Sequence, residues 1–201
     1  MLFYIDTDFI SKIISFELID EFLYAYSIDK NNLRIIQNEK NKVIYLIDKD
    51  YQHLSADKKK KNKKFVNSIK TLFDPNLIID LLNELHGIQD IDHGEKVLLQ
   101  YLSVDKNSFL LTADRKFLNA LKNMIDRVTF IINRILILEQ ALIKIIEVKG
   151  FNNIKEKLFN GKRCDSYLNA ILSNRQISED RLIELLQNRC DDFKDILYVE
   201  N

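Results

Sequence analysis

Short apolar runs alternate along the chain with segments whose apolar residues recur at helical spacing. The runs at 2–5 and 109–111 are continuously apolar, which is typical of strands covered on both faces of a parallel sheet. The residues at 33–36 and 135–137 predict two further strands. The predicted helices lie at 9–23, 39–53, 57–72, 75–85, 91–104 and 139–149. A further helix begins at Arg115, and the pattern at 119–132 fits one or two helices. We therefore predict an α/β fold with three layers, in which helices flank a central, mostly parallel sheet.

The helical pattern continues beyond this part of the chain without another strand. It predicts three short helices within 150–201, broken at Gly161 and at 173–174. With four glycines and one proline, the chain leaves little room for long loops. We expect 1–149 to form the α/β domain and 150–201 to form a C-terminal helical extension.

Three acidic side chains lie where the predicted strands and helices meet. Asp6 directly follows the first strand, Asp114 comes just after the strand at 109–111, and Glu95 lies in the first turn of its helix. Parallel strands end at the same edge of a sheet, which is where open α/β sheets bind ligands. Carboxylates that meet there without a lysine or arginine between them repel one another unless a divalent cation neutralises them.

Three short motifs resemble, in their order along the chain, the acidic motifs of PIN-domain nucleases: I-D-T-D at 5–8, G-E at 94–95 and L-T-A-D-R-K-F at 111–117. The segment 134–140 looks like the last strand and following helix of a bacterial PIN-like subgroup. The resemblance covers roughly the first two-thirds of the chain, by pattern rather than by continuous similarity. It implies a three-layer PIN-like fold, with 1–149 as the nuclease domain.

The resemblance also implies a metal site. The catalytic residues, which would also hold Mg²⁺ or Mn²⁺, are Asp6, Glu95 and Asp114. Carboxylate oxygens suit such hard cations, and a metal of this kind activates water for phosphodiester hydrolysis without a covalent intermediate.

Further acids take part in the implied site. PIN-like proteins carry another acid at the start of the helix after the second strand; Glu39 is the candidate ligand, and Asp48 and Asp50 compete with it. The supporting residues, which would hold outer-shell water or orient a ligand, are Asp8, Asp92 and Thr112.

Each acid also has a purely structural interpretation. Asp92 and Glu95 have the spacing of a capping box, in which each side chain bonds the other residue's backbone amide. Asp114 and Asp8 could cap the helices that follow them. Asp6 is the hardest to explain in this way, because it directly ends a buried strand.

Basic residues predict contact with a phosphate backbone. A run of six lysines within seven residues opens the helix at 57–72. The predicted nucleic-acid-binding residues are Lys58, Lys59, Lys60, Lys61, Lys63 and Lys64 in this run, with Arg115 and Lys116. The structural alternative is a solvated helix start with no ligand.

Composition limits the setting in which the protein acts. Thirty acidic residues balance thirty lysines and arginines, so any attraction to nucleic acid has to be local. Two cysteines without metal-ligand spacing predict reduced thiols and a cytoplasmic location. We expect no signal peptide and no membrane partner, since charged residues interrupt the longest apolar stretch, 128–148.

The resemblance thus predicts a metal-dependent nuclease that acts on RNA in preference to DNA. It also implies a role as a toxin or phage-defence effector, with an antitoxin or other protein partner. Three roles stay open for the helical extension, which are a homodimer interface, a partner-binding surface and a lid over the site. Two alternatives stay open. One is a catalytically silent PIN-like binding module. The other is a haloacid-dehalogenase-like phosphatase, with Asp6 as nucleophile and Asp8 as general acid, although its later metal motif does not follow Asp114.

Overall fold

The computed structural model describes residues 1–72 and 90–199, and the strands in these ranges form one sheet in which all neighbours are parallel. The strands are β1 (Leu2–Ile5), β2 (Leu33–Ile36), β3 (Lys70–Leu72), β4 (Ser108–Thr112) and β5 (Ile135–Ile137). Their order across the sheet is β3-β2-β1-β4-β5. The four strands predicted from apolar runs are confirmed, whereas the apolar pattern does not predict β3.

Helices connect and cover these strands. They are α1 (Thr7–Ser15), α2 (Ile19–Ala25), α3 (Gln37–Lys49), α4 (Ala56–Ser68), α5 (His93–Val104), α6 (Arg115–Asn123), α7 (Leu138–Lys149), α8 (Phe151–Gly161), α9 (Ser166–Ile171) and α10 (Glu179–Asp191). Short 3₁₀ helices lie at Lys30–Asn32, Thr129–Ile131 and Lys162–Cys164. The helix predicted over 75–85 lies outside the described residues. Within the described ranges, none of the helices has the length and apolarity needed to cross a membrane.

Alternate side chains of the strands enter two hydrophobic cores, one on each face of the sheet. Tyr4 and Leu110 belong to the core that includes α5 and α6. Ile5 and Leu111 belong to the core that includes α1 and α7. Because central strands are covered on both faces, their sequences are continuously apolar rather than alternating. The predicted three-layer α/β architecture is confirmed and is consistent with a PIN-like fold.

The periodic segment at 9–23 is divided in the structure between α1 and α2. Glu17 has a φ of 56°, in the left-handed region. The amide N–H groups of Glu17 and Leu18 donate to the carbonyl oxygens of Ile14 and Ile13 at 2.9 and 3.0 Å. This Schellman motif ends α1. Apolar periodicity does not reveal the break, because the residues that follow it are buried as well.

The helix predicted over 57–72 ends at Ser68, so the prediction is wrong for residues 69–72. Lys40 Nζ donates to the carbonyl oxygens of Asn67 and Ile69 at 2.9 and 2.7 Å, which fixes this end of α4. The chain then pairs with β2 as β3. Pairing with the sheet therefore overrides the local helical periodicity.

The chain changes direction across the sheet between β1 and β4. From β1 it moves outward to β2 and β3, whereas β4 returns to the other side of β1 and β5 lies beyond it. The connections that leave β1 and β4 at their carboxyl ends run in opposite directions, which opens a crevice where α/β sheets bind ligands. Asp6 and Asp114 follow these two strand ends.

Residues after Lys149 pack on the sheet rather than around a core of their own. Side chains of α8, α9 and α10 join the same core as α1. Near the end of the chain, Leu197 pairs with Ile135, and Tyr198 N–H donates to Ile135 O at 2.7 Å. The predicted boundary between 1–149 and 150–201 therefore marks no change of core within the described residues.

Gly161 allows this C-terminal segment to approach α1 closely. A Cβ at this position would lie 2.5 Å from Ser15 O and 2.8 Å from Phe16 Cα. We expect Gly161→Ala to lower the free energy of unfolding by about 1–3 kcal/mol, because one of the two backbones has to move. Urea denaturation measures the loss, with the exposed neighbour Asn160→Ala as the control. Equal stability of Gly161→Ala and wild type would contradict this packing.

Candidate functional site

Asp6 stands at the N-cap position of α1, but its side chain makes no capping hydrogen bond. Instead, Asp6 Oδ2 accepts a hydrogen bond of 2.9 Å from Thr112 Oγ1. The Asp6 N–H donates to Leu111 O at 2.9 Å, which extends the β1–β4 ladder to the end of the strands. The carboxylate is therefore fixed to β4 and is not consumed in holding its own helix.

Asp114 caps α6. Its Oδ1 accepts from the N–H groups of Lys116 at 2.7 Å and Phe117 at 3.0 Å. Its own N–H donates to Thr112 Oγ1 at 3.2 Å. The predicted cap is confirmed. Thr112 thus links Asp6 and Asp114 through a single hydroxyl group.

Glu95 is buried in the first turn of α5, where a capping box is present. Asp92 N–H donates to Glu95 Oε2 at 2.7 Å, and Glu95 N–H donates to Asp92 Oδ1 at 2.8 Å. The predicted capping box is confirmed. It turns the Glu95 carboxylate back towards the start of its helix, which is the end nearest the other acids.

Electrostatic repulsion couples these acids. The pKa of Asp6 is raised to about 7, mainly by burial and further by the negative charges of Asp8 and Asp114. The pKa of Glu95 is raised to about 8, again mainly by burial. Asp92, Asp6 and Asp114 are among the charges that raise it. The fold therefore brings together acids that the sequence separates by more than a hundred residues.

Glu39 also lies at the carboxyl edge of the sheet, in the first turn of α3 after β2. Thr7 Oγ1, in the first turn of α1, donates a short hydrogen bond to Glu39 Oε2. A Cβ on Gly94 would lie 3.7 Å from Glu39 Oε1, so Glu39 also borders the start of α5. The competing acids Asp48 and Asp50 lie at the other end of α3. Of the three candidates, the structure brings Glu39 to the crevice.

Asp8 and Asp92 are both exposed at this edge. Asp92 is the N-cap of α5. Because α1 begins at Thr7, Asp8 lies inside the first turn, and the prediction that Asp8 caps this helix is wrong. Its carboxylate is instead 3.8 Å from Lys12 Nζ.

Lys12 is a residue near the site that the motifs do not single out. Its ammonium group donates to Ala113 O at 3.3 Å, beside Asp114. It also forms an ion pair of 3.0 Å with Asp165. The spacing of Asp8 and Lys12, four residues apart on one helix, is the signal from which their contact could have been predicted.

The lysine run occupies the first half of α4, where acids neutralise part of it. Its ion pairs are Lys58–Glu17 at 2.6 Å, Lys61–Asp20 at 2.7 Å and Lys63–Asp48 at 2.9 Å. Glu17 follows the end of α1, which extends for about 13 Å from Asp6. The structure therefore does not bring this run to the carboxylates.

Arg115 and Lys116 begin α6. The Arg115 guanidinium forms ion pairs with Asp192 at 2.6 Å and Glu139 at 3.7 Å. It also lies over the ring of Phe193, 4.6 Å from the centroid. Arg115 is thus bound to the C-terminal segment, whereas the Lys116 side chain is exposed.

The chemistry of the oxygen donors fits Mg²⁺ or Mn²⁺. Hydrogen bonds engage Asp6 Oδ2, Glu95 Oε2 and Asp114 Oδ1, and the backbone of Thr7 also bonds the Asp6 carboxylate. The second oxygen of each carboxylate is the one with which it would hold a cation. Across residues 1–72 and 90–199, no group of three or more His, Cys, Asp or Glu side chains has the arrangement of a metal site as it stands.

Replacing Thr112 tests the link between the two acids. The hydrogen bond from Thr112 lowers the pKa of Asp6, against the effect of burial. We expect Thr112→Val to raise the pKa of Asp6 by about one unit, because a charged acceptor loses its hydroxyl donor. Carboxyl-detected NMR titration measures the change, and Thr112→Ser, which keeps the hydroxyl, serves as the control. Coinciding titration curves for Thr112→Val and wild type would contradict the link.

The site therefore combines Asp6, Glu39, Glu95 and Asp114 with Thr7, Thr112 and Lys12 at the carboxyl edge of the sheet. The first four supply carboxyl oxygens, and the two threonines hold Asp6 and Glu39 in place. Comparison of the chain with protein-family models, curated proteins and solved structures found no match.

Proposed function

We propose that the protein is a PIN-like, metal-dependent nuclease that hydrolyses phosphodiester bonds in RNA. The observation that carries the proposal is the meeting of acids from β1, α5 and the β4–α6 connection at the switch point of a parallel sheet. Helix capping accounts for Glu95 and Asp114, but it does not account for Asp6. A half-buried carboxylate whose neighbours are also acidic is explained if the site binds a cation, which would offset their mutual repulsion.

The chain's residues have distinct roles in this proposal. Asp6, Glu95 and Asp114 would hold Mg²⁺ or Mn²⁺, with Glu39 as a further ligand. When bound, such an ion lowers the pKa of water and offsets negative charge on the phosphate. Thr112 keeps Asp6 in one orientation through its 2.9 Å hydrogen bond.

Lys12 and Thr7 have supporting roles in the proposed reaction. Lys12 brings a positive charge beside Ala113, within reach of the negative charge that develops on a phosphate. Thr7 holds Glu39 through its hydroxyl group. We also propose that the protein acts in the cytoplasm, where thiols stay reduced, since Cys164 and Cys190 are free.

The second candidate function is a catalytically silent PIN-like binding module. It is favoured by the capping bonds that engage Glu95 and Asp114, together with the lack of a ready-made metal arrangement within residues 1–72 and 90–199. The phosphatase interpretation of Asp6 and Asp8 stays a prediction.

Cleavage of single-stranded RNA and DNA with Mn²⁺ decides between the two candidates. Asp114→Asn is suited to the test, because asparagine caps a helix as well as aspartate does and the fold should be preserved. Changes around a metal ligand cost about 10–100-fold in activity, so we expect loss of the ligand itself to cost at least about 100-fold. The exposed acid Asp126 provides the control, since Asp126→Asn should cleave as wild type does.

Two results would contradict the nuclease proposal. Pure wild-type protein could leave both nucleic acids intact with Mg²⁺ and with Mn²⁺, which would favour the silent module. Alternatively, Asp114→Asn could cleave at the wild-type rate, which would separate the activity from these carboxylates.

A further inference from the structure

A cleft of about 750 Å³ opens beside the acidic site, between α1, the end of α3 and the C-terminal segment. Asp8, Ser11, Lys12 and Ser15 of α1 line it. Their spacing of three and four residues places them on one face of the helix, which spans about 10 Å between the first and the last of them. The cleft therefore begins at the acidic site and follows α1 away from it.

The opposite wall carries positive charge. Lys162, Arg163 and Arg175 line this wall. In the part of the chain that the structure describes, no carboxylate forms an ion pair with any of the three. The lysine run of α4 is different, because Glu17 and other acids pair with it. Lys162 Nζ donates to Leu172 O at 2.9 Å, but positive charge that no carboxylate neutralises is what attracts a phosphate backbone.

The balance of charge within the cleft is also basic. Its lining contains four lysines and arginines against two acidic residues, Asp8 and Asp50. The chain as a whole has no net charge, so this excess is local. His53 adds an exposed aromatic ring to the lining, whereas the Tyr51 ring is buried. Positive charge beside an exposed ring on which a base can stack is typical of surfaces that bind single-stranded nucleic acid.

The two walls are fixed to each other. Ser15 Oγ donates to Gly161 O at 3.2 Å, directly before the basic residues at 162–163. Lys12 forms its 3.0 Å ion pair with Asp165, two residues after Arg163. The backbones around Gly161 are in close contact with α1. The cleft is therefore preorganised, which reduces the entropy cost of binding.

Lys12 also connects the cleft to the acidic site. Its ammonium group reaches Asp165 on the C-terminal wall and Ala113 O beside Asp114. A strand lying in the cleft would therefore reach Lys12, whose ammonium group is bound beside Asp114.

We propose that this cleft binds the phosphodiester backbone of single-stranded RNA and that Arg163 and Arg175 contact its phosphates. The identity of the strand rests on the proposed nuclease function, whereas binding can be measured without catalysis. Both arginines are exposed, and both reach the cleft from the segment that the sequence sets apart as a helical extension. Lys12 lies at the end of the cleft that is next to the acidic site.

The test is the affinity of the Arg163→Gln/Arg175→Gln double variant for a short fluorescent single-stranded RNA. Fluorescence anisotropy in EDTA prevents cleavage and separates binding from catalysis. We expect at least about 10-fold weaker binding near 100 mM KCl. The slope of log affinity against log salt should fall by about 1.4, since each lost phosphate contact contributes about 0.7 for a single strand.

The control variant is Lys106→Gln/Arg127→Gln, which removes the same charge from two exposed positions outside the cleft. It should bind as wild type does, and circular dichroism melting should show that both double variants are folded. Affinity and salt slope of the cleft variant equal to those of wild type would overturn the proposal, as would wild-type protein that does not bind RNA. If wild type binds but does not cleave, and the cleft variant loses affinity, the nuclease function fails while the binding cleft stands.

Discussion

The metal-free protein should lose stability as the pH rises from about 5 to 8, and Asp6→Asn should remove much of that loss. In the folded state the pKa of Asp6 is raised to about 7 and that of Glu95 to about 8. In the unfolded chain both groups titrate near pH 4. Between these values the folded state binds more protons than the unfolded state, so stability falls as pH increases.

The size of the effect follows from the same difference. One pKa unit between the folded and unfolded states corresponds to about 1.4 kcal/mol, so ionising Asp6 costs a few kcal/mol. We therefore expect Asp6→Asn in EDTA to be more stable than wild type at pH 8 and to converge with it towards pH 4. Urea denaturation at several pH values measures this, with exposed Asp126→Asn as the control. Parallel pH profiles for wild type and Asp6→Asn would show that Asp6 is not a strained carboxylate.

Mn²⁺ should raise the melting temperature of the wild-type protein and should fail to do so in Asp6→Asn. A ligand at about 100 times its Kd stabilises the folded state by about 2.7 kcal/mol. For a chain of this size that corresponds to roughly 5–10 °C. The shift should be larger at pH 8 than at pH 6, because the carboxylates must be ionised to hold a cation.

The same melting experiment compares the residues that we propose as metal ligands. Asp114→Asn should lose the shift as Asp6→Asn does, although it keeps the α6 cap. Asp126→Asn should keep it in full. An equal shift in Asp6→Asn and wild type would mean that Mn²⁺ binds elsewhere on the chain.

Features that depend on the local sequence could be predicted from it. β1 and the centre of β4, 109–111, are continuously apolar because both faces are covered, and an acid lies within two residues of the end of each strand. The capping box of Asp92 and Glu95 depends on a spacing of three residues. Since parallel strands end at one edge, these patterns also predict that Asp6 and Asp114 approach each other.

Features decided by partners distant in the sequence could not be predicted. β3 exists because β2 offers an unpaired edge, whereas its own residues continue a helical pattern. The break after α1 coincides with the close approach of Gly161, which comes from a helix far along the chain. Composition marks the lysine run as basic, but only the fold reveals the acids, such as Glu17, that pair with it.

The basic cleft also depends on residues that are distant from one another in the sequence. Arg163 and Arg175 are isolated positive charges in the sequence, with no motif around them. They line the cleft because the segment after Lys149 packs against α1. The packing of the C-terminal helices, and not a run of like charges, therefore underlies the proposed binding surface.

The central claim is that Asp6, Glu95 and Asp114 act together on a divalent cation at the switch point of the sheet. Crystals grown with Mn²⁺ and measured at its absorption edge test this most directly, because anomalous scattering locates the ion without assumptions about activity. We expect an anomalous peak in contact with carboxylate oxygens of Asp6 and Asp114. A fully occupied Mn²⁺ peak elsewhere, or no peak at this edge at saturating Mn²⁺, would contradict the claim.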